Sequence, residues 1–297
     1  MGTEDGTFYA IHGVALSCIY VSLICVILVL ILSFYKNPNS FYTWNKNDKF
    51  IVYLVICDGA FNLVHMCDHL QIAATRDHVR PIQLCIFYAV LLIEFVYCQS
   101  LLVLFIAVNA FVLVRCQRNI ELGRKDWKLI VGILTCSFVP VIIALSVDSL
   151  GPTGAFCGVQ DKVANLALTI VPLMLIVPLN CLLYIVTWYN IRKAARRIRD
   201  VVGGNAQSIR ASNDSAKIMT TFILAFLVQW WGMGVYGFAE YFGNDDMVFY
   251  MFIVSFTNLG GLFNGIVFLI MRRVRGVRKQ RKEDKKEVIQ TEMTKIE

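Results

Sequence analysis

Charge is what this sequence has least of. Only 16% of its 297 residues are Asp, Glu, Lys or Arg, whereas a soluble domain carries about a quarter. The charges are also missing in blocks. Residues 11–35, 129–147, 163–191, 218–239 and 247–271 hold none. Residues 50–67 hold only Asp58, and residues 81–114 only Glu94. A bilayer crossing takes about 20 mostly apolar residues, so these blocks are seven candidate spans. Barrel strands would be half as long and would alternate, and no such alternation occurs. Catalytic signatures are lacking as well. There is no Gly-x-Ser-x-Gly, no His-Glu-x-x-His and no phosphate-cradling glycine loop. No cleavable leader is expected, because the first apolar run is too long and has no basic segment before it.

Hydrophobic residues make up 57% of the chain, and the mean hydropathy is +0.62. The basic residues are sorted by side. Assigning loops alternately puts 25 Lys and Arg on one side and three, Arg76, Arg80 and Lys162, on the other. The positive-inside rule then predicts an outer N-terminus and a cytosolic tail. The net charge of +7 reads as a collar against anionic lipid, not as a nucleic-acid surface. The expected organisation is a short outer N-terminus (1–10), a membrane domain (11–271) and a basic tail (272–297). The fold class is an all-α seven-transmembrane helix bundle.

The second span carries the most polar groups. Asp58, Asn62, His65 and His69 follow at steps of four, three and four residues and share one helix face. Such a face turns to a bundle interior or a water-filled cavity, not to lipid. Of ten cysteines, most lie inside spans as small apolar fillers. Cys85, at the outer end of span 3, and Cys157, in the outer loop after span 4, both face the oxidising side, and a disulfide between them is expected. It would pin that loop over the bundle mouth. His65-x-x-Asp68-His69 admits three readings: a metal site, a ligand pocket that also titrates near neutrality, or a hydrogen-bonded patch. Glu94 needs a buried partner, either a cationic ligand or a neighbouring span. Gln99, Asn109 and Asn264 fall at mid-membrane or deeper, where polar groups bond between helices.

Several local motifs now line up. Leu54-Val55-Ile56-Cys57-Asp58 resembles the Leu-x-x-x-Asp of span 2 in G-protein-coupled receptors. Phe226 to Trp230 resembles the Phe-x-x-x-Trp of span 6, and Asn264 to Phe268 the Asn-Pro-x-x-Tyr of span 7, with Gly and Phe in place of Pro and Tyr. The stretch Leu259-Gly260-Gly261-Leu262-Phe263-Asn264 is similar to the Gln-Gly-Phe-x-Asn pattern of cyclic-AMP-receptor-like members. There are departures. The Asp-Arg-Tyr position reads Asn109-Ala110-Phe111, and the Pro after the span 6 Trp is Gly232. The chain therefore resembles a divergent member between the rhodopsin-like and cyclic-AMP-receptor-like groups.

The resemblance implies a plasma-membrane receptor with a small extracellular ligand and a heterotrimeric G protein as partners. Ligand contacts are expected at His65, Asp68, His69, Glu94, Trp231, Tyr236 and Glu240. The expected switch is Asp58, Gln99, Phe226, Trp230, Asn264 and Phe268, with a sodium ion on Asp58 as the one cofactor to consider. Arg115, Arg192, Arg196 and Arg197 would face the G protein. Span 6 is expected to swing about Gly232 and Gly234. A retinal-type light sensor would need a lysine in span 7, and residues 247–271 have none. The remaining rival is a polytopic transporter or channel, which would more often show an internal repeat.

Overall fold

The computed structural model describes residues 5–36, 39–200, 205–243, 247–273 and 276. The charge-free blocks become spans, though not all of them are simple helices. Helix α1 (Asp5–Lys36) is apolar nearly all round and packs on one side only, leaving Ile24, Ile27 and Ile31 exposed as lipid would allow. Helix α2 (Lys46–Thr75) starts at Asn45, whose side chain accepts from the backbone N–H of Asp48 at 3.2 Å. Its polar face turns inward, with Asp58, Asn62, His65, Asp68 and His69 all buried. Helix α3 (Ile82–Arg115) has 34 residues, about 51 Å at 1.5 Å per residue. It is central and touches α2 and the next three spans along the chain.

Helix α4 (Trp127–Ser146) contains Pro140. A hairpin of β1 (Leu150–Pro152) and β2 (Cys157–Val159) follows, with Gly151 opposite Gly158. The predicted disulfide is formed: Cys157 on β2 is bonded to Cys85 in the first turn of α3, with Cα atoms 5.3 Å apart. The outer loop of the sequence reading is thus a hairpin fixed across one end of the bundle.

Span α5 is assembled from Lys162–Asn165, a π-helical turn Leu166–Ile170, and Val171–Asp200. Pro172 explains part of this irregularity. It has no N–H to offer the carbonyl of Leu168, four residues earlier. That carbonyl instead accepts from the hydroxyl of Tyr97 on α3. Helix α6 (Asn205–Tyr241) is continuous. Gly232 and Gly234 are places of close packing here, against Ile253 and Met174, and not bends.

The bend is in the last span. Helix α7a (Met247–Asn258) and its continuation α7b (Gly260–Arg273) meet at 47°. The sequence reading did not anticipate this break. It occurs at Leu259, directly before Gly260-Gly261, where neither glycine has room for a Cβ. At Gly260 it would overlap Asp58 and Gln229, and at Gly261 it would lie 2.6 Å from the Ser22 hydroxyl. Two backbone groups beside the break are bonded across the bundle. Gln229 donates to the Thr257 carbonyl at 3.0 Å, and the Gly261 N–H donates to Ser22 Oγ at 2.8 Å. Most of the predicted basic tail falls outside the described residues.

Candidate functional site

Beneath the hairpin lies a cavity of about 450 Å³. Every span except α4 contributes to it, and the disulfide holds β2 over their ends. Its wall is mostly apolar. Trp230 and Phe61 stand together, ring centroids 6.0 Å apart, and Phe156 from the hairpin lies 5.6 Å from His65. His12, His65, His69, Tyr236, Glu240 and Tyr250 supply the polar part of the lining that concerns the site.

Three imidazoles form a chain along this wall. His12 Nδ1 is 2.7 Å from His69 Nδ1. His69 Nε2 is 3.0 Å from His65 Nε2. His65 Nδ1 is 2.9 Å from Asn258 Oδ1. All three rings are buried. Asn258 is the last residue of α7a, so the chain runs from α1 across α2 to the break in the seventh span. His12 was missed by the sequence reading. Its partner is 57 residues away, and a lone His on an apolar helix gives no local signal. The nitrogens pair in series and do not converge, and among the described residues no group of three or more His, Cys, Asp or Glu is placed to hold a metal ion.

A second network lies one to two turns deeper. Asp58 accepts from Gln99 Nε2 at 2.7 Å through Oδ1 and from Asn264 Nδ2 at 2.5 Å through Oδ2. Gln99 also donates to Gln229 Oε1 at 2.9 Å. Asn62 joins α2 to Ser22 of α1 at 3.2 Å. The network therefore reaches both sides of the α7 break, through Gln229 to Thr257 and through Asn264 on α7b. These residues do not fit a sodium ion as they are arranged. A cation needs oxygen lone pairs, and the groups turned toward Asp58 present N–H donors. Both amide hydrogens of Gln99 are committed to oxygens of the network itself.

The other predicted residues are placed as follows. His65, His69, Tyr236 and Glu240 line the cavity. Asp68 is buried one turn away and accepts from the Cys157 N–H at 2.8 Å, tying α2 to the hairpin. Glu94 faces α4, where Ser137 donates to it at 2.5 Å, and it is not part of the cavity wall. Trp231 points outward at 46% exposure, while its neighbour Trp230 is buried at the cavity. Phe226 and Phe268 are core residues below Trp230. Arg115 and Arg192 are exposed at the end opposite the hairpin, with Arg192 over the ring of Trp188. The side chains of Arg196 and Arg197 lie outside the described residues.

The same end holds an unpredicted clamp. Lys49 Nζ lies 2.7 Å from Asp126 Oδ1, and the Tyr53 hydroxyl donates to Asp126 Oδ2 at 2.9 Å. Lys46 donates to the Ile120 carbonyl. The start of α2 is thereby bonded to the segment between α3 and α4. At the Asp-Arg-Tyr position of α3, Asn109 instead meets the Met219 sulfur at 3.5 Å.

Seven spans, a central third helix, and a cavity under a hairpin tethered to it by a disulfide define a membrane protein of the G-protein-coupled-receptor fold. Among solved structures the chain is similar to squid rhodopsin, with a TM-score of 0.68, 14% identity, and coverage of 90% of this chain and 82% of that one. At that identity the likeness is one of fold. No family model and no curated protein matches the sequence.

Proposed function

We propose that this chain is a plasma-membrane receptor that binds a small extracellular ligand in the cavity and signals to a heterotrimeric G protein. The observation that carries the reading is the route from cavity to helix break. His65 lines the cavity and bonds Asn258 at the end of α7a, and Gln229, one residue before the cavity-lining Trp230, bonds the next carbonyl back. A ligand that prefers one arrangement of these groups biases the angle between α7a and α7b. It can do so only by its difference in affinity for the two states.

The 25-to-3 distribution of basic residues supports an outer N-terminus and a cytosolic end carrying Arg115 and Arg192. The hairpin and cavity then face outside. The Lys49–Asp126–Tyr53 clamp lies at the transducer end, in a chain that has no arginine at the usual position on α3. The test is nucleotide exchange on a panel of purified G proteins, with and without candidate ligands, alongside solute flux in proteoliposomes. Exchange supports the receptor reading. Flux without exchange establishes the transporter or channel instead.

A further inference from the structure

The histidine chain has a direction. Asn258 sets it. Its Nδ2 donates to the Val254 carbonyl at 2.9 Å, which leaves Oδ1 facing His65. Oxygen accepts, so His65 carries its proton on Nδ1. A neutral His65 then offers a lone pair at Nε2, and His69 must donate to it from its own Nε2. His69 in turn offers a lone pair at Nδ1, and His12 must donate from its Nδ1. Three contacts need three N–H groups, and three neutral rings supply three. No carboxylate is bonded to any of the rings among the described residues. The chain is therefore complete with neutral rings, in one orientation.

Its open end is Nε2 of His12. That nitrogen has no hydrogen-bond partner among the described residues, and it belongs to a buried residue that lines the cavity. By the argument above it is an acceptor. We propose that the cavity selects a ligand with an apolar body and a hydrogen-bond donor, an O–H or N–H group, that caps His12 Nε2. The proposal rests on reading the cavity as a ligand site. Leu92, Ile93, Val96, Leu173 and Met233 supply the apolar surroundings for the body.

A ligand with an acceptor at that point meets a different cost. His12 must move its proton to Nε2, and each contact after it must reverse. The reversal ends with two lone pairs facing each other, on His65 Nδ1 and Asn258 Oδ1, across 2.9 Å. Turning the Asn258 amide over relieves that contact but gives up the bond to Val254. The preference of His12 for a donor is thus set at Asn258, a residue that does not line the cavity. Asn258 acts on the ligand only through the chain and is a positioning residue.

The first measurement uses the full chain in nanodiscs with ring-¹⁵N histidine. Nitrogen shifts at pH 7 should show His12 and His65 protonated on Nδ1 and His69 on Nε2. A reversed tautomer or a doubly protonated ring at any of the three overturns the proposal. The second compares 4-butylphenol with 4-butylanisole, which share an apolar body and differ in the donor. The phenol should bind about tenfold more tightly, the effect of one buried hydrogen bond. The ratio should fall to about one in His12→Ala and in Asn258→Leu. Equal binding of the two to the unaltered chain, binding of neither, or an undiminished ratio in a folded Asn258→Leu variant overturns it. Neither measurement uses a G protein, so a failure of the signalling reading leaves this result intact, and the converse holds too.

Discussion

Gly260→Ala tests whether the break in α7 and the Asp58 network depend on each other. Within a helix, Gly→Ala normally stabilises by about 1 kcal/mol. At Gly260 the new methyl would overlap Asp58 Oδ1 and Gln229 Nε2 and stand 2.9 Å from Asp58 Cγ. Neither group can withdraw freely, because Asp58 is held by Gln99 and Asn264 and Gln229 by Thr257. Overpacking of this kind costs about 1–3 kcal/mol. Each hydrogen bond to the carboxylate that is displaced costs about 1.5–3 kcal/mol more. The net expected loss is about 3 kcal/mol or more, a fall in Tm of about 6–12 °C. Gly265→Ala on α7b is the internal control, since its methyl would make an ordinary contact at 3.6 Å from Cys25. Thermal unfolding of both variants in the same detergent checks the argument. A Gly260→Ala protein as stable as Gly265→Ala would refute it.

Other outcomes follow from the same geometry. Lys49→Ala strands Asp126 in a site where both side chains are less than a tenth exposed; it should cost about 3–5 kcal/mol, against about 1 kcal/mol for Tyr53→Phe, read by thermal unfolding. Cys157→Ser frees a closure of 72 residues; chain entropy bounds the loss near 4.4 kcal/mol, and a reductant should lower the Tm of the unaltered chain but not of the variant. Asp58→Asn should alter G-protein exchange while sparing ligand affinity more than His69→Ala does; concentration–response curves showing the reverse order would undo the division between cavity and deep network. Trp231→Ala should leave ligand binding unchanged and Trp230→Ala should weaken it, because only Trp230 lines the cavity.

The spans, the disulfide and the inward face of α2 were legible because each is written locally. A run without charge, two cysteines at one side of the membrane, and polar residues at helical spacing need no knowledge of the fold. What was not legible depended on partners far along the chain. His12 and Ser22 sit in a span that reads as featureless, and each acquires a role only from α2 and α7. Glu94 was read with its partner open, and packing alone places it against Ser137. Trp230 and Trp231 are adjacent, about 100° apart on a helix, and composition cannot say which faces inward. The Asp126 clamp was invisible for a further reason. Lys49 and Asp126 look like ordinary solvated charges at span ends, and only the fold brings them together and buries them.

The position of the bend also changes where conformational freedom should lie. A proline inside a span removes one backbone bond and opens the helix at that point. Span α6 has no proline, and its glycines are filled by neighbours: a Cβ on Gly232 would come within 3.1 Å of Ile253. Those glycines bring α6 close to α5 and α7a, which stiffens the contact. In α7 the backbone bonds are already broken, and side chains from α1 and α6 take their place. Exchanging a side-chain bond for another costs far less than opening a helix, because no backbone group is left unsatisfied in the membrane. The histidine chain and the Asp58 network both end within a few residues of that point, at Asn258, Thr257 and Asn264. Movement in this chain is therefore expected to centre on α7, with α6 following as the helix that Gln229 ties to it. Distance measurements between spin labels at the end opposite the hairpin, on α6 and α7b, check this. A ligand-induced displacement of α6 with α7b fixed relative to α2 would refute it.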